Sequence, residues 1–246
     1  MRILAVDAGN TRIKWGVSAD GRWEVQDALP TADAKLLQEV LARAGACERS
    51  VIANVAGDDV ARVIAAAMGG GEAAYWVSGR AEQCGVRSGY ADPARLGADR
   101  WAALIGARHL FQGACIVVNA GTTMTVDALS SESIFLGGCI VPGFDLMRGA
   151  LAGNTANLFR REGGFSFFPD NTGDAIASGA LNALAGAVDR MCRYLAETGE
   201  GEPVLVISGG NALLLEPMLN GRAQRVDNLV LEGLVHIGMQ CSNGTT

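Results

Sequence analysis

Only two histidines, His109 and His236, occur in 246 residues. They stand far apart without ligand-spaced neighbours, which leaves almost no support for a zinc site. The six cysteines (Cys47, Cys84, Cys115, Cys139, Cys192, Cys241) show no C-x-x-C spacing, and Cys115 and Cys139 lie inside apolar runs. They read as small buried hydrophobes in a reducing compartment. No run of eighteen apolar residues is present, which excludes an obvious membrane-spanning helix. No signal-peptide pattern precedes the first strand, so the expected location is cytoplasmic. No Lys/Arg cluster offsets the net charge of −6, which disfavours a nucleic-acid partner. Neither common nucleotide loop follows a strand, G-x-x-x-x-G-K-[ST] or G-x-G-x-x-G. With 49% hydrophobic and 19% charged residues, what remains is a globular chain able to fill a large core. Its length suits two half-size units.

The residues present at the N-terminus take up the role that the missing loops leave open. The apolar run Ile3-Leu4-Ala5-Val6 ends on Asp7 and is followed by Ala8-Gly9-Asn10-Thr11, residues that bend a chain and expose its amides. Ile13, Trp15 and Val17 then alternate with Lys14 and Gly16, so the chain returns as an antiparallel strand and does not enter a helix. A strand, an Asp and a Gly-rich hairpin suit an ATP site in which hairpin amides hold phosphate and Asp7 faces a magnesium ion. An ordinary turn of the same composition is the equal alternative from this stretch alone.

Further along, the pattern predicts a strand at 23–29, a helix at 32–44, a strand at 50–55, a helix from a cap at Asp58 to Met68 closed by glycines 69–71, and a strand at 73–77. Residues 79–93 read as a polar loop for substrate, followed by a helix from Asp99 to about Leu110. The second half opens as the first did. The strand 115–118 runs into Asn119-Ala120-Gly121-Thr122-Thr123, which aligns with Asp7-Ala8-Gly9-Asn10-Thr11, and 124–129 alternates away from it. Asp127 reads as a turn residue at the end of that strand. Residues 134–141 complete a hairpin, and a helix follows from 142–143 to about 152. A loop over 160–170 has Phe159, Phe165, Phe167 and Phe168 pinning it to the core. A long helix capped by Thr172 or Asp174 runs to about Glu197, a strand at 204–207 ends in Ser208-Gly209-Gly210-Asn211, a closing helix spans 229–239, and the tail 242–246 frays. The repeat sets the division at 1–113 and 114–246, two similar mixed-sheet halves of an α/β protein with phosphate turns on both sides of one cleft.

Five motifs in order resemble the type III pantothenate kinases: Asp7-Ala8-Gly9-Asn10-Thr11 with Lys14; Gly97-Ala98-Asp99-Arg100; Gly121-Thr122-Thr123-Met124-Thr125-Val126-Asp127; Gly137-Gly138-Cys139-Ile140-Val141-Pro142-Gly143; and Thr172-Gly173-Asp174-Ala175-Ile176. The matches run from residue 3 to about residue 211. The resemblance implies a duplicated actin-like (ribonuclease H-like) ATPase fold, a homodimer, and transfer of the ATP γ-phosphoryl to pantothenate as the first step of coenzyme A synthesis. By resemblance, Asp7, Ala8, Gly9, Asn10, Thr11, Arg12, Ile13, Lys14 and Thr122 bind ATP, and Tyr90, Gly97, Ala98, Asp99, Arg100 and Thr172 bind pantothenate.

Asp99 is the candidate base, placed where a helix dipole favours its ionised form, with the Arg100 fork beside it to hold a carboxylate. From the residues alone, a helix cap and a surface ion pair would serve as well. Asn119 stands where the family usually carries an Asp associated with potassium or ammonium, so a weakened monovalent site is expected there beside magnesium at Asp7. Two alternatives stay open at this point: a kinase of the same superfamily acting on another small alcohol, and a nucleotide-dependent regulatory protein of the same fold.

Overall fold

A computed structural model of the chain describes residues 1–68, 74–154, 163–219 and 221–240. The glycine stop at 69–71, the start of the strand expected from 73, Phe159, Cys241 and the tail 242–246 lie outside the described residues. In chain order the elements are β1 (Arg2–Ala8), β2 (Arg12–Ala19), β3 (Arg22–Pro30), a 3-10 segment (Thr31–Leu36), α1 (Leu37–Ala44), β4 (Arg49–Asn54), α2 (Asp58–Ala67), β5 (Tyr75–Trp76), β6 (Glu82–Gln83), β7 (Val86–Ser88) and α3 (Ala98–Leu110). There follow β8 (Cys115–Ala120), β9 (Thr123–Leu129), β10 (Ile134–Pro142), α4 (Phe144–Asn154), α5 (Thr172–Leu195), β11 (Val204–Ser208), α6 (Ala212–Leu215), β12 (Ala223–Arg225) and α7 (Leu229–Gln240).

Two compact units emerge. The first holds Met1–Gln112, Ser133–Phe135 and the chain from Asn228; the second holds Gly113–Glu132 and Leu136–Asp227. The division near residue 113 is thus joined by a return of α7 to the first unit, which local sequence does not encode. In the first unit the sheet order is β3-β2-β1-β4-β5. β1 is antiparallel to β2 and parallel to β4, and β2 is antiparallel to β3. In the second unit the order β10-β9-β8-β11-β12 repeats this plan, with β8 antiparallel to β9 and parallel to β11. The short repeat of strand and turn seen in the sequence therefore marks a repeat of the whole sheet topology.

Both central strands, β1 and β8, are buried on both faces, which is why their sequences are continuous apolar runs. In the first unit Leu4, Val6, Ile13, Trp15 and Val17 face Leu37, Leu41 and Ile64 of α1 and α2. α7 covers the opposite face, where Gly238 lies against Ile3 and Val51. α3 and α7 are apolar nearly all round and pack through glycines. A methyl on Gly106 would come within 2.7 Å of the Leu229 carbonyl oxygen, and one on Gly233 would strike the Ala102 carbonyl. In the second unit Ile116, Val118, Met124, Val126, Leu205 and Ile207 pack against Leu181, Leu184 and Val188 of α5.

Several local expectations are corrected. Residues 79–93 contain the hairpin β6–β7, turned by Cys84 and Gly85 with φ of 53° and 76°, and Ile134 and Phe135 extend it by pairing in parallel with Arg87 and Ser88. A Cys in the first left-handed position of a tight turn is outside the usual Asn-Gly signal, and strands of two or three residues carry no periodicity. Gly57, not Asp58, precedes α2 as its cap residue. Asn171, not Thr172 or Asp174, caps α5, with its Oδ1 accepting from Asp174 N at 3.0 Å and its amide donating to Asp174 Oδ2 at 2.7 Å. Asp127 is no turn residue, because it lies within β9 and is 1% exposed. Phe167 and Phe168 do not pin their segment to the core; they are 85% and 94% exposed.

Candidate active site

β1 delivers Asp7 to its C-terminal end, and the antiparallel register sets Lys14 of β2 directly opposite it, so both side chains stand on one face of the sheet. The turn that joins them is held from inside. Gly9 N donates to Arg12 O at 3.0 Å, and Thr31 Oγ1 donates to Gly9 O at 2.7 Å. Val55 N, just beyond β4, donates to Ala8 O at 2.9 Å. Asn10, Thr11 and Arg12 are left exposed at the tip. Ala8 and Ile13 are fully buried beneath the turn, so of the residues assigned to ATP these two act through backbone placement.

Asp99 comes to the same region from the first turn of α3. Its Oδ1 accepts from Arg100 N at 2.8 Å and lies 2.7 Å from where a Cβ on Gly97 would sit, so residue 97 must be glycine for this carboxylate to fold back. The Asp99 carboxyl is pushed up from the ordinary range by burial, an effect opposed by the Arg100 amide and guanidinium. Asp7 is pushed up to about 7, first by desolvation, then by the charge on Asp99, with Lys14 pulling the other way. Two carboxylates whose charges repel beside one lysine form a place where a cation is favoured.

Arg100 is a buried guanidinium, 8% exposed. Its Nη1 donates to Tyr90 Oη at 3.1 Å, and its head lies 5.9 Å from the Tyr90 ring centre and 5.7 Å from that of Phe135. The two rings are 5.0 Å apart. The first unit therefore brings together Asp7, Lys14, Tyr90, Gly97, Ala98, Asp99 and Arg100. Phe135 is the participant that the sequence reading missed, and a lone Phe beside a Ser-rich turn carries no signal for it.

The remaining candidates lie in the second unit. Asn119 is the next-to-last residue of β8, opposite Thr125 and beside Ser208 of β11. Gly121 N donates to Thr123 O at 3.0 Å, closing a turn one residue shorter than that at Gly9, and Thr122 is exposed at the tip. Gly143 N donates to Thr122 O at 2.9 Å, and a Cβ on Gly143 would strike the Gly121 carbonyl. Gly209, with φ of 104°, passes as close to Ala120, and Asn211 N donates to Ala120 O at 2.9 Å. The turn is thus clamped by backbone from two sides. Thr172 is the first residue of α5, exposed beside the Asn171–Asp174 cap.

Comparison with known proteins gives these motifs a family. A model of type III pantothenate kinases matches residues 3–194. The type III pantothenate kinase of Aromatoleum aromaticum is 52% identical over 239 residues, covering 97% of this chain and 98% of its own length. Among solved structures, the activator of the 2-hydroxyisocaproyl-CoA dehydratase from Clostridium difficile, with bound ADPNP, is similar at a TM-score of 0.54 and 12% identity, covering 100% of this chain and 98% of that one. The ROK hexokinase of Thermus thermophilus is similar at 0.51 and 14% identity, covering 99% and 100%. These two likenesses bear on the fold alone, the actin-like and sugar-kinase ATPase architecture with its repeated mixed sheet. On the family match and the near full-length identity, this chain belongs to the type III pantothenate kinase family, enzymes that phosphorylate pantothenate with ATP at the start of coenzyme A synthesis.

Proposed function

We propose that this pantothenate kinase divides its work as follows. Asp99 takes the proton of the acceptor hydroxyl, and Arg100 with Tyr90 holds the pantothenate carboxylate. Gly97, Ala98 and Thr172 shape the acceptor site, and the turn from Asp7 to Lys14, with Thr122, binds ATP. The observation that carries this reading is the Arg100 guanidinium, buried and braced by Tyr90 and Phe135 next to a carboxylate whose partner charge is Asp7. A desolvated, oriented fork is suited to a carboxylate, and Asp99 beside it has its charged form penalised by burial, as a proton acceptor in a kinase requires.

Kinases of this kind use ATP with a divalent metal. Asp7 fits such an ion, because an oxygen ligand carrying a charge raised in energy by burial and by Asp99 is stabilised by a nearby cation. When bound, the ion neutralises charge on the phosphates. Asn119 fits a monovalent cation poorly, since its amide offers one oxygen and no charge. Activity in sodium buffer is therefore expected within a few-fold of that in potassium, and Asn119→Asp is expected to increase potassium dependence. Initial rates titrated with potassium and ammonium chloride at fixed ionic strength test this, and strong activation of the unmodified protein at low millimolar potassium would refute it.

The acceptor assignment is tested by Arg100→Ala. A charge-assisted contact is worth roughly 1.5–3 kcal/mol, so the Michaelis constant for pantothenate should rise at least about tenfold while that for ATP stays within about twofold. Equal weakening of both substrates would remove Arg100 from the clamp. A homodimer with the acceptor site at or near its interface is supported by apolar side chains left in the open on the second unit, among them Ile140 at 60%, Phe167 at 85% and Phe168 at 94% exposure. Sedimentation is expected to give a dimer, and a fully active monomer at assay concentration would contradict it. Among the described residues no helix is long and apolar enough to cross a membrane, and a cytoplasmic location accords with that.

A further inference from the structure

We propose that Gln83 is a positioning residue for the acceptor site, an inference that rests on the reading of Tyr90 and Arg100 as the pantothenate clamp. Gln83 lies on β6, in the hairpin whose second strand leads through Ser88 and Gly89 to Tyr90. Its side-chain oxygen accepts from Trp101 Nε1 at 2.8 Å, and its side-chain nitrogen donates to Tyr75 Oη at 2.9 Å. An indole nitrogen can only donate, so the oxygen of the amide must face Trp101 and its nitrogen must face Tyr75. The orientation of the Gln83 side chain is therefore determined by its partners, and one residue joins β5, the β6–β7 hairpin and α3.

Trp101 is the residue after Arg100 and is 0% exposed. Hairpin and helix are thus tied by two side-chain hydrogen bonds from adjacent helix residues, Arg100 to Tyr90 at the site and Trp101 to Gln83 behind it. The first bond involves the groups that must rearrange around substrate. The second does not, so it can hold the distance between hairpin and helix while the first changes. Arg80 reinforces the outer end, with its guanidinium 5.5 Å from the Tyr75 ring centre. Without Gln83 the Trp101 N–H is left without its partner in an apolar interior, and the hairpin is free to settle with Tyr90 displaced from Arg100. Misplacement of a positioning group by about 1 Å can cost up to ~100-fold.

The test compares four variants with the unmodified enzyme in steady-state assays, alongside thermal melts. Gln83→Met keeps length and removes both hydrogen bonds; it is expected to raise the Michaelis constant for pantothenate about 5- to 30-fold, with that for ATP within about twofold. Gln83→Glu can still accept from Trp101 and from the Tyr75 hydroxyl, and should return the constant to within about threefold of the original. Tyr75→Phe removes only the outer bond and should give a smaller rise, about 2- to 5-fold; it decides the matter with Gln83→Glu if Gln83→Met does not fold.

A residue that served stability alone would lower the melting temperature and the active fraction, reducing kcat and leaving both Michaelis constants unchanged. That result, or Gln83→Glu no better than Gln83→Met, or, where Gln83→Met does not fold, a pantothenate constant unchanged in Tyr75→Phe, overturns the proposal. Arg100→Ala is the control arm. If it too leaves the pantothenate constant unchanged, the clamp reading itself fails; if it raises the constant while the Gln83 and Tyr75 variants do not, only the positioning role fails.

Discussion

Asp99→Asn is expected to fold, to bind ATP with little change, and to turn over at least about 100-fold more slowly, the loss typical of removing a positioned base. The substitution is close to isosteric. The Asn oxygen can still accept from Arg100 N, as Asp99 Oδ1 does at 2.8 Å, and the glycine at 97 still leaves room for it. The first turn of α3 is therefore preserved, and what disappears is the proton acceptor and one negative charge. That charge has a second effect, because Asp99 is one of the two causes that raise Asp7. In the variant the acid limb of kcat/KM for ATP should move to lower pH, since Asp7 ionises more easily without its neighbour. Single-turnover rates and a pH profile measure both effects. Unchanged turnover in a folded variant would remove Asp99 from the mechanism.

Asp7→Asn is expected to cost at least about 100-fold in turnover, comparable to losing a main electrostatic contact in an active site, and yet to make the empty protein more stable at pH 8. The Asp7 carboxyl ionises near 4 when unfolded and is pushed up to about 7 in the fold by desolvation and by Asp99, with Lys14 offsetting part of this. Between those values the folded chain keeps a proton that the unfolded chain has released, so stability is complete below about pH 4 and falls as pH rises to about 7.

At pH 8 the full penalty is present, and an amide does not carry it. Each pH unit of that window is worth up to ~1.4 kcal/mol; partial solvent access at Asp7 reduces this, leaving an expected gain on the order of 3–6 °C in Tm. At pH 4 the gain should vanish. Thermal melts of both proteins across pH 4–8 without nucleotide provide the check, and a variant no more stable at pH 8 than at pH 4, relative to the original, would show that Asp7 is not strained by burial.

Much of this was readable from the residues, and the reason is the burial of the central strands. β1 and β8 are covered on both faces, so they appear as unbroken apolar runs, and each ends in a small-residue turn that repeats. The alternation after Thr11 foretold the antiparallel return that sets Lys14 opposite Asp7. Features that depend on long-range closure were not readable. The approach of Asp99 to Asp7 spans most of the first unit's sequence, and nothing local announces it. The return of α7 to the first unit is recorded only as two glycines, Gly106 and Gly233, whose meaning requires the helix crossing. Gln83 sits on the two-residue strand β6, too short for any periodicity to mark it, and at Phe135 the strand pattern of β10 signals burial without saying that the ring meets Tyr90 and Arg100. Asp127 was misjudged because a carboxylate in a strand interior, 1% exposed, is the exception to the burial rule that served everywhere else.

The most direct measurement of the central claim is a coupled assay of ADP release with magnesium and ATP, in which pantothenate is compared with a panel of sugars and with acetate. ADP should appear with pantothenate at a rate well above the acceptor-free background, and this rate should fall by at least about 100-fold in Asp99→Asn, while sugars and acetate stay at background. Release with a sugar or acetate equal to that with pantothenate, or no release with pantothenate from folded protein, would contradict the account.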